Sequence, residues 1–270
     1  MSKKIVIMGA GGRMGRTLIR CLLEKRFAGL ELFGAVDLWD AEQLGMDAGL
    51  ANGLPEAGVS VTCNLEPIAP HADVIIDFSY HVGSAGNADR IATWGPAWVI
   101  GTTGYTEDEL AMIQSASKQI PVVRSGNMSL GVNLLCTLVE AGATALKNRG
   151  YDVEIIERHH RKKVDAPSGT ALMLGEAVAA GYDVSLKEVQ VDGRTGQPGA
   201  RSDSEIGFHA VRGGDIVGDH TVLFAGEGET VQLEHRATDR DVFALGALQA
   251  AAWACGRPAG LYGMRDVLGV

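Results

Sequence analysis

The segment Lys4-Ile5-Val6-Ile7-Met8-Gly9-Ala10-Gly11-Gly12-Arg13-Met14-Gly15 restricts the fold more than any other stretch of the chain. Ile5 to Met8 is an unbroken apolar run, the pattern of a strand covered on both faces. Glycines stand at 9, 12 and 15, and Gly11 adds a G-x-G at the start. Leu18, Ile19, Leu22 and Leu23 then recur at helical spacing. A strand joined to a helix by a loop lacking side chains lets backbone N–H groups approach a pyrophosphate, and the positive end of the helix helps. A glycine-rich loop is in itself also a tight βα turn, so position carries the reading. The loop follows the first strand, and a second strand, Leu32 to Asp37, ends in an acid at roughly the 20-odd residues expected of a dinucleotide fold. Gly9, Ala10, Gly11, Gly12, Arg13, Met14 and Asp37 are the candidate cofactor contacts.

Further strands are expected at Asp73–Phe78, Ala97–Ile100 and Pro121–Val123. Between the last two, Thr106 and Glu109 form a capping box opening a helix with Leu110 and Ile113 inward. Strands alternating with helices mean a Rossmann-type, doubly wound parallel sheet. Ligands gather at the carboxyl ends of such strands, where Gly101-Thr102-Thr103-Gly104 and Ser125-Gly126-Asn127-Met128 stand. Gly101, Thr102, Thr103, Ser125, Gly126, Asn127 and Met128 are candidate contacts for a nicotinamide ring, although ordinary turns explain them equally well. A carboxylate at Asp37 accepts hydrogen bonds from ribose hydroxyls and repels a 2′-phosphate, and the following Leu38 and Trp39 offer no compensating cation. NADH is therefore preferred, by about 1–3 kcal/mol. Arg13 and Arg16 keep NADPH possible.

After Asn127 the texture changes, which sets a dinucleotide-binding domain at 1–127 and a second, α+β domain at 128–240. Val132, Leu135, Val139, Ala143 and Leu146 stripe a long helix. A strand from Tyr151 to Arg158, a basic loop and a helix from Ser168 to Ala180 follow. Val184 to His235 reads as mostly antiparallel strands. The tail, 241–270, begins with a helix and returns to the first domain.

Composition narrows the partners. Lys plus Arg number 24 against 33 Asp plus Glu, a net charge of −9, which disfavours nucleic acid. No apolar run approaches the roughly 18–20 residues that cross a bilayer. The expectation is a soluble, cytoplasmic chain without membrane contact. Cys21, Cys63, Cys136 and Cys255 are scattered without metal spacing and read as small buried hydrophobes in a reducing compartment. Against this acidic background, Arg158-His159-His160-Arg161-Lys162-Lys163 stands out. A charge run is usually a solvated face. This one starts where an apolar strand ends, carries two imidazoles suited to proton transfer, and runs into Ser168-Gly169-Thr170, which caps a helix. Basic side chains beside a helix N-terminus make an anion pocket suited to a small carboxylate. Adjacent histidines lack zinc spacing, so no metal is expected.

The run from Glu154 through His159, His160, Lys163, Asp165, Pro167, Ser168, Gly169 and Thr170 to Ala171 resembles the signature of the dihydrodipicolinate (4-hydroxy-tetrahydrodipicolinate) reductase family. The likeness extends through Gly9–Gly15, Val99–Gly104, Asn127–Asn133 and Gly207–His220. It implies reduction of 4-hydroxy-tetrahydrodipicolinate, a cyclic dicarboxylate, in the diaminopimelate route to lysine. It also implies His159 and Lys163 as proton donors, and His160 with the Gly169 and Thr170 backbone as holders of the substrate carboxylates. A cytoplasmic homotetramer built through the second domain, without metal, goes with the same resemblance. Well-studied members carry arginine after the strand-end acid. Leu38 departs from that and weakens any carry-over of NADPH use.

Overall fold

The computed structural model describes residues 2–270. The chain opens with β1 (Lys3–Met8), α1 (Arg13–Leu23), β2 (Leu30–Val36), β3 (Val61–Thr62) and β4 (Val74–Asp77). Helices α2 (His81–Gly86) and α3 (Ala88–Trp94), β5 (Ala97–Ile100), α4 (Glu107–Ala116) and β6 (Pro121–Arg124) follow. Next come α5 (Leu130–Leu146), β7 (Asp152–His159), α6 (Gly169–Tyr182), α7 (Leu186–Val189) and β8 (Gln190–Asp192). Strands β9 (Ile206–Arg212), β10 (Gly218–Gly226) and β11 (Glu229–Ala237) precede α8 (Asp241–Ala254), β12 (Gly260–Tyr262) and α9 (Met264–Leu268). Contacts divide the chain into two compact units, residues up to 130 with 241–269, and residues 131–240.

In the first unit seven strands, ordered β12-β6-β5-β4-β1-β2-β3, pair in parallel throughout. The unbroken apolar run of β1 has the cause its sequence suggested. Ile5 and Ile7 face a core shared with α1 and α8, while Val6 and Met8 face the core that holds Ile91 of α3 and Ile113 of α4. Strands β4 and β5 alternate in the same way, with Ile75, Trp98 and Ile100 on the second face. The capping box of α4 forms as expected. Glu109 N donates to Thr106 Oγ1 at 3.3 Å, and Thr106 N donates to the Glu109 carboxylate at 2.8 Å. Beyond the five strands expected, β3 and β12 close the two edges of the sheet. Helix α8 buries Ala244, Ala247, Leu248, Ala250, Ala251 and Ala254 in the α1 core, so small residues let it lie close. Its start is pinned where the Asp241 carboxylate accepts from Arg20 and Arg26.

The second unit is a five-stranded sheet ordered β11-β10-β7-β9-β8. Its pairing corrects the mostly antiparallel expectation. Strand β10 runs antiparallel to β7 and β11, but β9 runs parallel to both β7 and β8. The chain leaves β7 through helix α6, and a helical crossover returns it in the same direction. Helices α5 and α6 supply Val132, Val139, Leu174 and Val178 to a core with Ile155, Phe208, Val222 and Phe224. Strand β7 also runs one residue further than expected, so His159 belongs to the strand and not to the loop. The cysteines divide: Cys21 and Cys136 are buried and Cys255 is half-buried, whereas Cys63 is exposed, contrary to its expected burial. No described helix is long and apolar enough to cross a membrane.

Candidate active site

In the first unit the glycine loop turns sharply at Gly9, whose φ is +79°, and a Cβ there would stand 2.6 Å from Phe78 O. Gly9 N and Ala10 N both donate to Val36 O, at 2.9 and 3.0 Å, which ties the loop to the end of β2. At Gly15 a Cβ would meet Gly9 O at 2.1 Å, so glycine is what lets α1 approach β1. Asp37, just past β2, accepts from Gly11 N and from Leu38 N, the latter at 2.8 Å. Loop and acid are therefore adjacent, as their spacing predicted. A cleft of about 700 Å³ runs past Gly9, Gly12, Asp37, Leu38, Phe78 and Ser79. Side-chain-free backbone at a helix N-terminus, beside a carboxylate and an apolar cleft, fits a dinucleotide.

The other candidates of this unit have different duties, several of them at the carboxyl ends of β5 and β6. The Phe78 ring occupies the space a Cβ at Gly101 would need. Thr102 is buried and donates to Ser79 O at 3.2 Å, bracing the β4 and β5 ends, while Thr103 is exposed. Ser125 Oγ donates to Asn127 O at 2.7 Å, and Gly126 is exposed between them. Met128 turns into the α1 core. A Cβ at Gly246 of α8 would come within 1.8 Å of the Met128 carbonyl oxygen. Arg13 is exposed, Met14 packs on the α1 core, and Arg16 Nε donates to Gly11 O at 2.8 Å. Phe78 and the rest of the β4 end escaped the sequence reading, because a strand-end aromatic carries no motif.

In the second unit β7 alternates buried and half-buried positions through to its end, which places Val153, Ile155, Glu157 and His159 on one face. His159 Nδ1 donates to Glu157 Oε2 at 2.6 Å. Glu157 also receives both arms of Arg212, at 2.6 and 2.7 Å, and Ser168 N at 3.0 Å. Burial would raise the Glu157 carboxyl's pKa, but Arg212 and His159 outweigh it and hold the pKa below the ordinary value. For His159 burial lowers the pKa, and Glu157 offsets only part of that. His220 on β10 sets its ring 5.1 Å from that of His159, edge on, with Nε2 3.1 Å from Ser168 Oγ. Burial pushes the His220 pKa down to about 3, so it is a neutral neighbour.

The loop after β7 is backed by the turn after β9: His160 N donates to Ile216 O at 2.8 Å and Gly213 N to His159 O at 2.9 Å. His160 Nε2 accepts from Arg240 at 3.1 Å. Lys163 Nζ pairs with Asp165 at 2.8 Å. Ser168 caps α6 by accepting from Ala171 N at 3.2 Å, and Gly169 and Thr170 form the first turn. The end of β7 and the helix N-terminus meet at Glu157, which accepts from both His159 and Ser168 N. Glu157, Arg212 and His220 are additional members of the cluster. The spacing of Glu157, two residues before His159, marks it as a same-face neighbour only once the strand is carried through His159. Arg212 and His220 depend on strand pairing, since His159 stands opposite Arg212 and Glu157 opposite His220.

Sequence profiles described as the N-terminus and C-terminus of dihydrodipicolinate reductase match residues 3–128 and 131–268. This chain belongs to the dihydrodipicolinate reductase family. The family is one of oxidoreductases. A 4-hydroxy-tetrahydrodipicolinate reductase of Rhodopseudomonas palustris (strain BisB5) is 49% identical, covering 99% of this chain and 97% of its own. One from Mesorhizobium japonicum is 47% identical over 98% and 97%. Among solved structures, a dipicolinate-bound dihydrodipicolinate reductase from Paenisporosarcina sp. TG-14 aligns with a TM-score of 0.77 at 25% identity, covering 98% of this chain and 99% of that one. An amine dehydrogenase from Mycobacterium smegmatis shares the fold, with a TM-score of 0.61 at 13% identity over 97% and 94%.

Proposed function

We propose that this chain reduces 4-hydroxy-tetrahydrodipicolinate to tetrahydrodipicolinate and water in the diaminopimelate route to lysine, with NADH preferred over NADPH. The observation that carries this reading is that Glu157 accepts from both His159 and Ser168 N, which joins the strand-end histidine to the start of α6, with the Lys163 charge near enough to bear on His159. Near-half identity to relatives named for this activity supports it, as does dipicolinate, a cyclic dicarboxylate, in the Paenisporosarcina neighbour.

When bound, the reduced nicotinamide supplies a hydride. Gly9, Ala10, Gly11, Gly12, Arg13, Met14 and Asp37 would hold the dinucleotide's phosphates and ribose, with Gly101, Thr102, Thr103, Ser125, Gly126, Asn127 and Met128 toward its nicotinamide end. His160 and the Gly169 and Thr170 N–H groups hold the substrate's carboxylates. Loss of the 4-hydroxyl with a hydrogen from the neighbouring ring carbon, as water, leaves a conjugated imine. A hydride added at the carbon opposite the ring nitrogen would then send negative charge through the conjugated bonds to that nitrogen, and one proton taken up by the ring completes tetrahydrodipicolinate. The Lys163 ammonium stabilises the charge, and Lys163 and His159 are the proton sources. His159 spends Nδ1 on Glu157, so Nε2 is the nitrogen that handles the proton. Gly218 lies beside that nitrogen, and a Cβ there would stand 3.0 Å from Nε2.

Asp37 followed by uncharged Leu38 supports the NADH preference. By similarity the chain works in the cytoplasm as a homotetramer, to be checked by light scattering. The activity test couples a synthase, which makes the labile substrate from pyruvate and aspartate semialdehyde, to loss of reduced-nicotinamide absorbance. Turnover favouring NADH is expected. Turnover favouring NADPH overturns the Asp37–Leu38 argument alone, and no turnover with either overturns the assigned reaction.

A further inference from the structure

Glu157 is 1% exposed and is itself neither a proton source nor a substrate contact in the reading above. Its two oxygens nevertheless join His159, Arg212 and the start of α6. Oε2 accepts from His159 Nδ1 at 2.6 Å and from Arg212 at 2.6 Å; Oε1 accepts from Arg212 at 2.7 Å and from Ser168 N at 3.0 Å. Arg212 also donates to Asp165 O at 2.6 Å, and Asp165 holds Lys163. The end of β7, the end of β9 and the capping residue of α6 therefore meet on one carboxylate, and Arg212 links the lysine loop to it through Asp165 O.

We propose that Glu157, clamped by Arg212, is the positioning residue of this site, fixing the His159 tautomer and the distance between that imidazole and the carboxylate-binding first turn of α6. The inference rests on the proton-donor reading of His159 given above. An ionised carboxylate only accepts hydrogen bonds, so the hydrogen between the two groups sits on Nδ1 and proton exchange is confined to Nε2. The bidentate Arg212 keeps Glu157 ionised and planar, and prevents it from swinging away with the ring. Ser168 N has a donor's reason to stay, because a buried backbone N–H without an acceptor is costly.

Four groups face the His159 ring: Glu157 on β7, Arg212 on β9, His220 on β10 and Lys163 in the following loop. Of these, Glu157 alone is an anion. Burial and the charges of Lys163 and Arg212 disfavour protonated His159, and Glu157 opposes them. Removing its charge makes protonation harder still.

The test combines imidazole ¹⁵N NMR of the full chain with steady-state kinetics of Glu157→Gln. In the unsubstituted protein the neutral His159 ring is expected as the Nδ1–H tautomer, and an Nε2–H tautomer overturns the proposal without any reference to activity. In Glu157→Gln kcat is expected to fall about tenfold or more, since removing a group that orients a histidine costs from about tenfold to about 10⁴-fold. The KM for NADH stays within about twofold, and the limb of the kcat/KM profile set by protonated His159 moves to lower pH. Unchanged kcat with an unmoved limb overturns the proposal. Should Glu157→Gln fail to fold, Arg212→Lys, which keeps the charge and loses the fork, is expected to mix the His159 tautomers, and wild-type tautomers there overturn it. Absence of turnover in the unsubstituted protein strikes the assigned reaction instead, and the tautomer measurement remains decisive for Glu157.

Discussion

Around Gly9 the first unit makes its candidate site by leaving side chains out, and around Glu157 the second unit makes its own by packing charged side chains together. Gly9 and Gly15 stand where a Cβ would strike backbone, at 2.6 Å from Phe78 O and 2.1 Å from Gly9 O, so the loop's shape is set by what is missing. Glu157, Arg212, His159, Lys163 and Asp165 instead define their geometry through ion pairs and hydrogen bonds. A site of bare backbone serves any pyrophosphate, and dehydrogenases acting on other substrates share that fold, as the amine dehydrogenase does. The chemistry of one particular substrate requires the second kind of site. Substitutions in the two should therefore fail differently, one through cofactor binding and the other through turnover.

The sharpest contrast is Lys163→Ala. Loss of the ammonium is expected to lower kcat about a hundredfold or more, within the range for a positioned acid, while NADH binding followed by fluorescence titration is unchanged. Near-normal kcat would remove Lys163 from the chemistry and break the contrast.

Gly15→Ala probes the opposite unit. The new methyl meets backbone of Gly9 and Ala10, which has no flexible end to give way, so α1 must move off β1. The expected cost is about 1–3 kcal/mol of stability, with about tenfold weaker NADH binding and little change in kcat at saturating cofactor. Gly86→Ala serves as the control, since nothing lies within 4 Å of its Cβ position. Equal behaviour of the two variants would show that close packing at Gly15 does not shape the loop.

The same contrast explains what the sequence could disclose. Strands β1, β4 and β5 were legible because burial on both faces leaves an unbroken apolar run. Strands β3 and β12, with two and three residues at the sheet edges, are too short to leave any pattern. The charge run hides the alternation that continues through Val153, Ile155, Glu157 and His159, so from sequence His159 reads as loop. The clamp on Glu157 was illegible in a stronger sense. Arg212 reaches it only because β9 pairs in parallel with β7, a register that no local signal encodes. Arg212 and His220 lie within a stretch that resembles the family, yet resemblance alone gave them no role.

Cofactor choice sharpens the comparison at smaller scale. Asp37 accepts from Gly11 N and Leu38 N, so its charge sits at the loop itself. In Asp37→Ser with Leu38→Arg, the repulsion toward a 2′-phosphate is removed and a cation supplied. The NADPH-to-NADH ratio of kcat/KM is expected to rise about tenfold or more, an effect of roughly 1–3 kcal/mol. An unchanged ratio would place the discriminating charge elsewhere, with Arg13 and Arg16 next to be tested.

The smallest effect concerns acid. Glu154 on β7 accepts from Arg194 at 2.8 Å, Arg201 at 3.0 Å and His209 at 2.7 Å, which fastens the segment between β8 and β9 to the second unit's sheet. Burial would raise the Glu154 pKa, but these bonds outweigh it and bring the carboxyl from 4.5 to about 2. Above 4.5 Glu154 is ionised whether folded or unfolded, and its contribution is complete. As pH falls from there toward about 2 the unfolded chain takes up the proton first, so stability is lost. His220 acts with the same sign at higher pH, because the unfolded chain protonates it near 6.5 while the folded one resists to about 3. Glu154→Gln should therefore lose about 1–2 kcal/mol at neutral pH and keep the His220 slope, but show a flatter decline below pH 4.5 than the unsubstituted chain. Urea unfolding across pH measures this, with amide exchange assigning the loss to β7 and β9 and not to β1 and β4. Parallel stability curves for the two proteins would mean that the Glu154 network is solvated charge, and that in this part of the second unit ion pairs accompany the fold without setting it.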